Sequence, residues 1–130
     1  MTSVVLDASA LIALMRRERG ADRVEAAIGD AVISAVNYSE VCKKAVEQGG
    51  RVDFVASFVD GLSIAVIPFD REMAAVSAAL YSETKSHGLS FADRACLALG
   101  ERMKAEVLTA EQKWKLLTVA TKITVIRKPQ

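Results

Sequence analysis

Five short apolar runs alternate with helically spaced stretches along the 130-residue chain, and this alternation limits the fold more than any other feature. Val4-Val5-Leu6, Ala31-Val32-Ile33-Ser34, Ser63 to Ile67, Glu106-Val107-Leu108 and Ile123 to Ile126 are too short for ordinary helices and fit strands, the first of them buried on both faces. Ala10 to Met15 reads as a short buried helix, and Ala21, Val24 and Ile28 mark a second that stops at Gly29-Asp30. Ser34 caps a third helix with Tyr38, Val41, Cys42 and Ala45 as its buried stripe. Val55, Phe58, Val59 and Leu62 define a fourth beyond Gly49-Gly50. Asp70 caps a long helix running to about Ser86 with Met73, Val76 and Leu80 inward, and His87-Gly88 closes it. Ser90 opens a further helix through Ala95, Cys96 and Leu99 to about Met103. Strand and helix alternate from end to end, which predicts a parallel, doubly wound α/β sheet in one domain over 1–130.

Composition narrows the function less. Hydrophobic residues make up 52% of the chain, which leaves apolar surface for self-association or a partner protein. The net charge of +1 gives no general electrostatic argument for nucleic acid, so any such role must rest on local features. Cys42 and Cys96 lie far apart without C-x-x-C or His spacing and read as buried free thiols, not as a disulfide framework or a thiolate metal site. No apolar run approaches the roughly 18 residues that span a bilayer, and the N-terminus lacks a basic flank with a cleavage site, so a cytoplasmic protein without membrane contact is expected.

The acidic residues are placed more tellingly. Asp7 follows the first strand, and open α/β sheets bind ligands beyond the carboxyl ends of their strands; the other reading is that Asp7 or Ser9 merely caps the helix starting near Ala10. Asn37 and Glu40, three apart, share a helix face just after the second strand, although Glu40 also suits an exposed pair with Lys43 or Lys44. Asp93 stands in the first turn of its helix, where Ser90 gives it a capping-box role. Thr109-Ala110-Glu111-Gln112 resembles another capped helix start after the fourth strand. Right-handed crossovers bring these connections to one edge of the sheet. Carboxylates gathered there repel one another and raise each other's pKa values, a penalty that a divalent cation reverses. Oxygen donors without His or Cys suit Mg²⁺ or Mn²⁺, one or two ions, which is the chemistry of metal-dependent phosphodiester hydrolysis.

Val5-Leu6-Asp7-Ala8-Ser9-Ala10-Leu11, Asn37-Tyr38-Ser39-Glu40, Ser90-Phe91-Ala92-Asp93 and Leu108-Thr109-Ala110-Glu111 resemble, in this order and spacing, the PIN-domain nucleases, over essentially residues 3 to 126. The short length looks most like VapC-type toxins of type II toxin-antitoxin pairs. The resemblance implies a three-layer α/β sandwich with a mostly parallel four- or five-stranded sheet flanked by helices. It also implies Mg²⁺- or Mn²⁺-dependent endonucleolytic cleavage of RNA by metal-activated water. Asp7, Glu40, Asp93 and Glu111 match the catalytic and metal-binding acids, and Ser9, Asn37, Ser90 and Thr109 match small polar supports. Glu111 stands where the family often has Asp, and its extra methylene bears on the second metal.

Arg16, Arg17, Arg19 and Arg94 are the basic residues expected to approach RNA phosphates, against a plain reading as solvated surface. Trp114 suits packing beneath the last helix or stacking on a base. A cognate antitoxin over the acidic pocket and a homodimer are the partners implied, without DNA binding by this chain alone. Two other readings compete. One is a solitary or catalytically weak PIN domain that binds RNA or protein, and the other is a receiver-like phosphoacceptor.

Overall fold

The computed structural model describes residues 3–130. Its strands are β1 (Val4–Leu6), β2 (Ala31–Ser34), β3 (Ala65–Ile67), β4 (Glu106–Thr109) and β5 (Ile123–Val125). They form one sheet in the order β3-β2-β1-β4-β5, every neighbouring pair parallel. The chain therefore lays down β1, β2 and β3 in one direction and returns to the other side of β1 for β4 and β5. The strand order reverses between β1 and β4, and such a switch point leaves a crevice at the carboxyl ends of the strands. Receiver modules of the flavodoxin-like order 2-1-3-4-5 reverse elsewhere, so this topology removes the phosphoacceptor reading.

The helices are α1 (Ala8–Arg16), α2 (Ala21–Ala26), α3 (Ala35–Glu47), α4 (Val52–Gly61), α5 (Arg71–Ala79), α6 (Tyr81–Thr84) and α7 (Phe91–Met103). Successive residues of a strand face opposite sides of the sheet, so neighbouring residues of β1 enter different cores. Leu6 packs with Ile33 and Leu108 against Leu11 and Leu14 of α1, Val24 of α2, Val41 of α3, and Val55 and Val59 of α4. Val5 packs with Val107 against Met73 of α5, Leu97 and Leu99 of α7, and Trp114. Two apolar cores thus sandwich the sheet, giving the expected three layers with five strands. Trp114 is 1% exposed, so it serves as packing and offers no face to a base.

Several local expectations give way to packing. The long helix from Asp70 is broken. Asp70 does cap α5, accepting from the Met73 amide at 2.9 Å, but the helix ends at Ala79 and resumes as α6 and a 3₁₀ turn over Lys85–His87. Leu80 and Thr84 are both buried there, and the Thr84 hydroxyl is satisfied by donating to the Leu80 carbonyl at 2.8 Å. Ile28 lies in a 3₁₀ turn beyond α2, and Leu62 falls past the end of α4 and is exposed, leaving Val55 and Val59 to bury that helix. On α3 only Val41 of the expected apolar stripe is fully buried, with Tyr38, Cys42 and Ala45 packed at the margin of the core. Cys42 and Cys96 are free thiols, and Cys96 alone is fully buried. After β4 the expected helix is a 3₁₀ turn over Gln112–Leu116. Among the described residues no helix is long and apolar enough to cross a membrane.

Candidate active site

Asp7 occupies the N-cap position of α1 but makes no capping hydrogen bond with its side chain. Its Oδ2 instead accepts from Ser9 Oγ at 2.7 Å and from Thr109 Oγ1 at 2.9 Å. Ser9 Oγ in turn accepts from the Ala110 amide at 2.9 Å, and Thr109 Oγ1 accepts from the Glu111 amide at 3.1 Å. The Asp7 amide donates to the Leu108 carbonyl at 2.9 Å. The ends of β1 and β4 are therefore tied together by backbone and hydroxyl hydrogen bonds around a carboxylate that is 3% exposed. Both side-chain bonds fall on Oδ2, so Oδ1 takes none from the described residues.

A second set of bonds joins α3 to α7. Asn37, fully buried, donates through Nδ2 to Glu40 Oε1 at 2.9 Å and to the Ala92 carbonyl at 3.0 Å. Its Oδ1 is buried without a partner among the described residues. At the start of α7, Asp93 Oδ2 accepts from the Ser90 amide at 2.9 Å while Ser90 Oγ accepts from the Asp93 amide at 3.2 Å, so the expected capping box is present. Besides capping α7, Asp93 lines one cavity of about 270 Å³ together with Asp7, Ser9, Glu40 and Glu111. Glu111 reaches it from an exposed position with no side-chain cap bond to hold it.

The carboxylates feel one another. Burial is the main cause that lifts the Asp7 pKa from 3.8 to about 6; the Ser9 and Thr109 hydroxyls oppose the rise, and the charges of Asp93 and Glu40 add to it. Glu40 is raised by burial, against the Asn37 hydrogen bond and the charge of Lys43, with Asp93 and Glu111 pushing it further up. Beneath them the Cys96 thiol is pushed well up, first by burial and then by the charges of Asp7, Asp93 and Glu40. The donor set is thus all hard oxygen with mutual repulsion, which fits a divalent cation of the Mg²⁺ or Mn²⁺ type. Among the described residues, however, no three acidic, His or Cys side chains stand close enough together to grip an ion as placed. The chemistry of the site fits a cation, and its ligand shell is not pre-formed.

The arginines expected at the site lie elsewhere. None of Arg16, Arg17, Arg19 and Arg94 lines the carboxylate cavity. Arg16 pairs with Glu18 at 3.9 Å and Arg17 with Glu25 at 3.0 Å, and Arg19 donates to the Lys128 carbonyl at 2.6 Å. Arg94 lies over the Tyr81 ring at 5.5 Å and donates to the Leu89 carbonyl. The cations that do line the cavity are Lys43 and Lys44, together with Glu47. The sequence signal for the two lysines is their i+3 and i+4 spacing from Glu40, which places all three side chains on one helix face. Lys43 pairs with Glu47 at 3.8 Å, not with Glu40.

The fold is thus a parallel α/β sheet with an acidic cavity at its switch point, lined by one buried carboxylate and several more exposed ones. The PIN-domain family model matches residues 4–119, and the chain belongs to that family. No curated protein matches the chain by sequence. Among solved structures, a toxin-antitoxin complex from Klebsiella pneumoniae is similar with a TM-score of 0.76 at 22% identity, covering 98% of this chain and 100% of that one. A sarcin-ricin loop cleaving VapC toxin of Mycobacterium tuberculosis gives a TM-score of 0.74 at 14% identity, covering 92% and 99%. DNA-bound VapBC from Salmonella typhimurium gives 0.70 at 17%, covering 95% and 98%. At these identities the likeness is one of fold.

Proposed function

We propose that this PIN domain is a Mg²⁺- or Mn²⁺-dependent endoribonuclease and the toxin of a toxin-antitoxin pair, acting in the cytoplasm as a single domain over 1–130. The observation that carries the reading is the buried Asp7 carboxylate, raised to about 6 and facing Glu40, Asp93 and Glu111 across one cavity. Asp7, Glu40 and Asp93 would hold the cation, with Glu111 as the fourth and looser ligand. When bound, the cation would neutralise the phosphodiester, lower the pKa of water and stabilise the leaving oxygen. Ser9 and Thr109 fix the Asp7 carboxylate by its Oδ2, and Asn37 and Ser90 hold Glu40 and Asp93 from behind. Lys43 and Lys44 supply positive charge at the rim for the RNA backbone.

The likeness of fold to toxin-antitoxin complexes supports a cognate antitoxin as partner, and the homodimer is proposed with it. The loosely held Glu111 favours one further reading, a PIN domain that binds RNA with weak or no cleavage. Purified protein incubated with RNA and Mg²⁺ decides between them. Cleavage that ends with chelation and is lost in Asp7→Asn supports the nuclease; undiminished cleavage by Asp7→Asn removes Asp7 from the mechanism.

A further inference from the structure

Next to the carboxylate cavity lies a pocket of opposite character. It encloses about 250 Å³ between α1, α3 and α4, and its apolar wall is made by Ile12, Met15, Val41 and Phe54. Ile12 and Lys44 line both cavities, so the two adjoin along α3. No acidic side chain lines the second pocket, whereas Arg16, Lys44 and Arg51 do. Phe54 is 62% exposed, with its ring 6.5 Å from that of Phe58. The volume is below the ~300–1,000 Å³ of pockets for drug-sized ligands and suits one flat ring system.

We propose that this pocket is a nucleobase subsite, seating an unstacked base of single-stranded RNA beside the phosphate held at the carboxylates. The proposal rests on the nuclease reading and adds its substrate class. Phe54 supplies the stacking surface, a contact that every base accepts because every base has a π-face. Arg16, Lys44 and Arg51 meet the phosphates flanking that base. The pair Arg51–Asp53 at 3.1 Å is exposed and Arg16–Glu18 at 3.9 Å partly so, and both surrender little when a phosphate replaces the carboxylate. Charge complementarity favours RNA over an apolar peptide: this pocket offers cations next to a cavity that offers anions, as a cation-bridged polyanion requires. A base in a duplex could not enter, whereas single-stranded loops present bases splayed out.

The test uses the full chain carrying Asp7→Asn, so that binding is read without cleavage, and short single-stranded RNA oligonucleotides with 2-aminopurine placed at each position in turn. One position is expected to change fluorescence on binding, Phe54→Ala to weaken that binding roughly tenfold or more, and Phe54→Tyr to restore it. An abasic nucleotide at the same position is expected to remove the difference between Phe54 and Ala. Equal binding by Phe54→Ala at every position overturns the subsite. So does loss of a co-purifying protein partner from Phe54→Ala with RNA binding intact, which would make the pocket a protein surface. Failure of the unmutated protein to cut any RNA removes the nuclease reading instead, and the fluorescence result stands apart from it.

Discussion

The two sides of the carboxylate cavity are built differently. On the β1–β4 side, Asp7 is buried and its Oδ2 is gripped by two hydroxyls, each itself fixed by a backbone amide. On the other side Glu40 is half-buried with one amide contact, and Glu111 is exposed. The rigid side stores unfavourable energy in a desolvated, repelled carboxylate; the soft side stores little and must move for the acids to share an ion. A site of this kind is anchored by one residue and completed by its ligand, which accounts for five acids around a cavity without three of them in gripping distance.

The largest effect that would break this comparison concerns stability. The Asp7 pKa is raised on folding from 3.8 to about 6, so the folded state resists ionisation. Well below pH 3.8 the carboxyl is neutral in both states and costs nothing; from there up to about 6 the unfolded chain ionises while the folded protein keeps its proton, so stability falls with pH and levels off once the folded group has ionised too. The difference corresponds to about 3 kcal/mol. Metal-free Asp7→Asn should therefore be more stable than the unmutated protein at neutral pH by that order and equal it near pH 3.5, as thermal or denaturant unfolding across pH would show. Added Mg²⁺ should narrow the gap by stabilising only the unmutated protein. An Asn variant no more stable at pH 7 would mean that Asp7 is not under strain.

Next in size, Thr109→Val removes one hydroxyl from the rigid side while keeping the side-chain shape. Metal affinity, followed by isothermal titration with Mn²⁺, is expected to fall by roughly 10–100-fold. The Glu111 amide loses its partner as well, at about 0.5–1.5 kcal/mol of stability. Thr109→Ser should restore most of the affinity. Affinity unchanged in the Val variant would show that the hydroxyl pair does not position Asp7.

The contrast between the two sides also explains how much is legible in the sequence. Alternation of runs such as Val4-Val5-Leu6 with spaced apolar residues is enough for a parallel three-layer sheet, because burial on both faces leaves a continuous apolar strand. The order β3-β2-β1-β4-β5 is not legible, since it depends on which side of β1 the chain returns to. Asp7 and Asp93 stand out by their place after a strand or at a helix start, both local signals. Spacing pairs Asn37 with Glu40, yet the Asn37 bond to the Ala92 carbonyl joins residues 55 apart and leaves no trace in sequence. Where the arginines go is not legible either: Arg17 pairs with Glu25 and Arg19 with the Lys128 carbonyl, the second of these a contact between residues far apart in the chain. The break at Leu80 comes with the burial of Thr84, which helical spacing cannot foresee.

The smallest expected effect falls on Glu111, and it measures how soft the outer side is. Its side chain is exposed and caps nothing, so Glu111→Gln leaves folding unchanged and removes one anion from the cavity rim. If Asp7 anchors the site and Glu111 only completes it, cleavage at a fixed, moderate Mg²⁺ concentration should drop several-fold and recover in part as Mg²⁺ is raised, while Glu40→Gln, closer to the anchor, drops further and recovers less. The shape of activity against Mg²⁺ concentration is the measurement. A Glu111→Gln variant as inactive as Asp7→Asn at every concentration would demand a rigid ligand where the fold shows an exposed, unbonded side chain, and the division of the cavity into an anchored and a yielding side would fail.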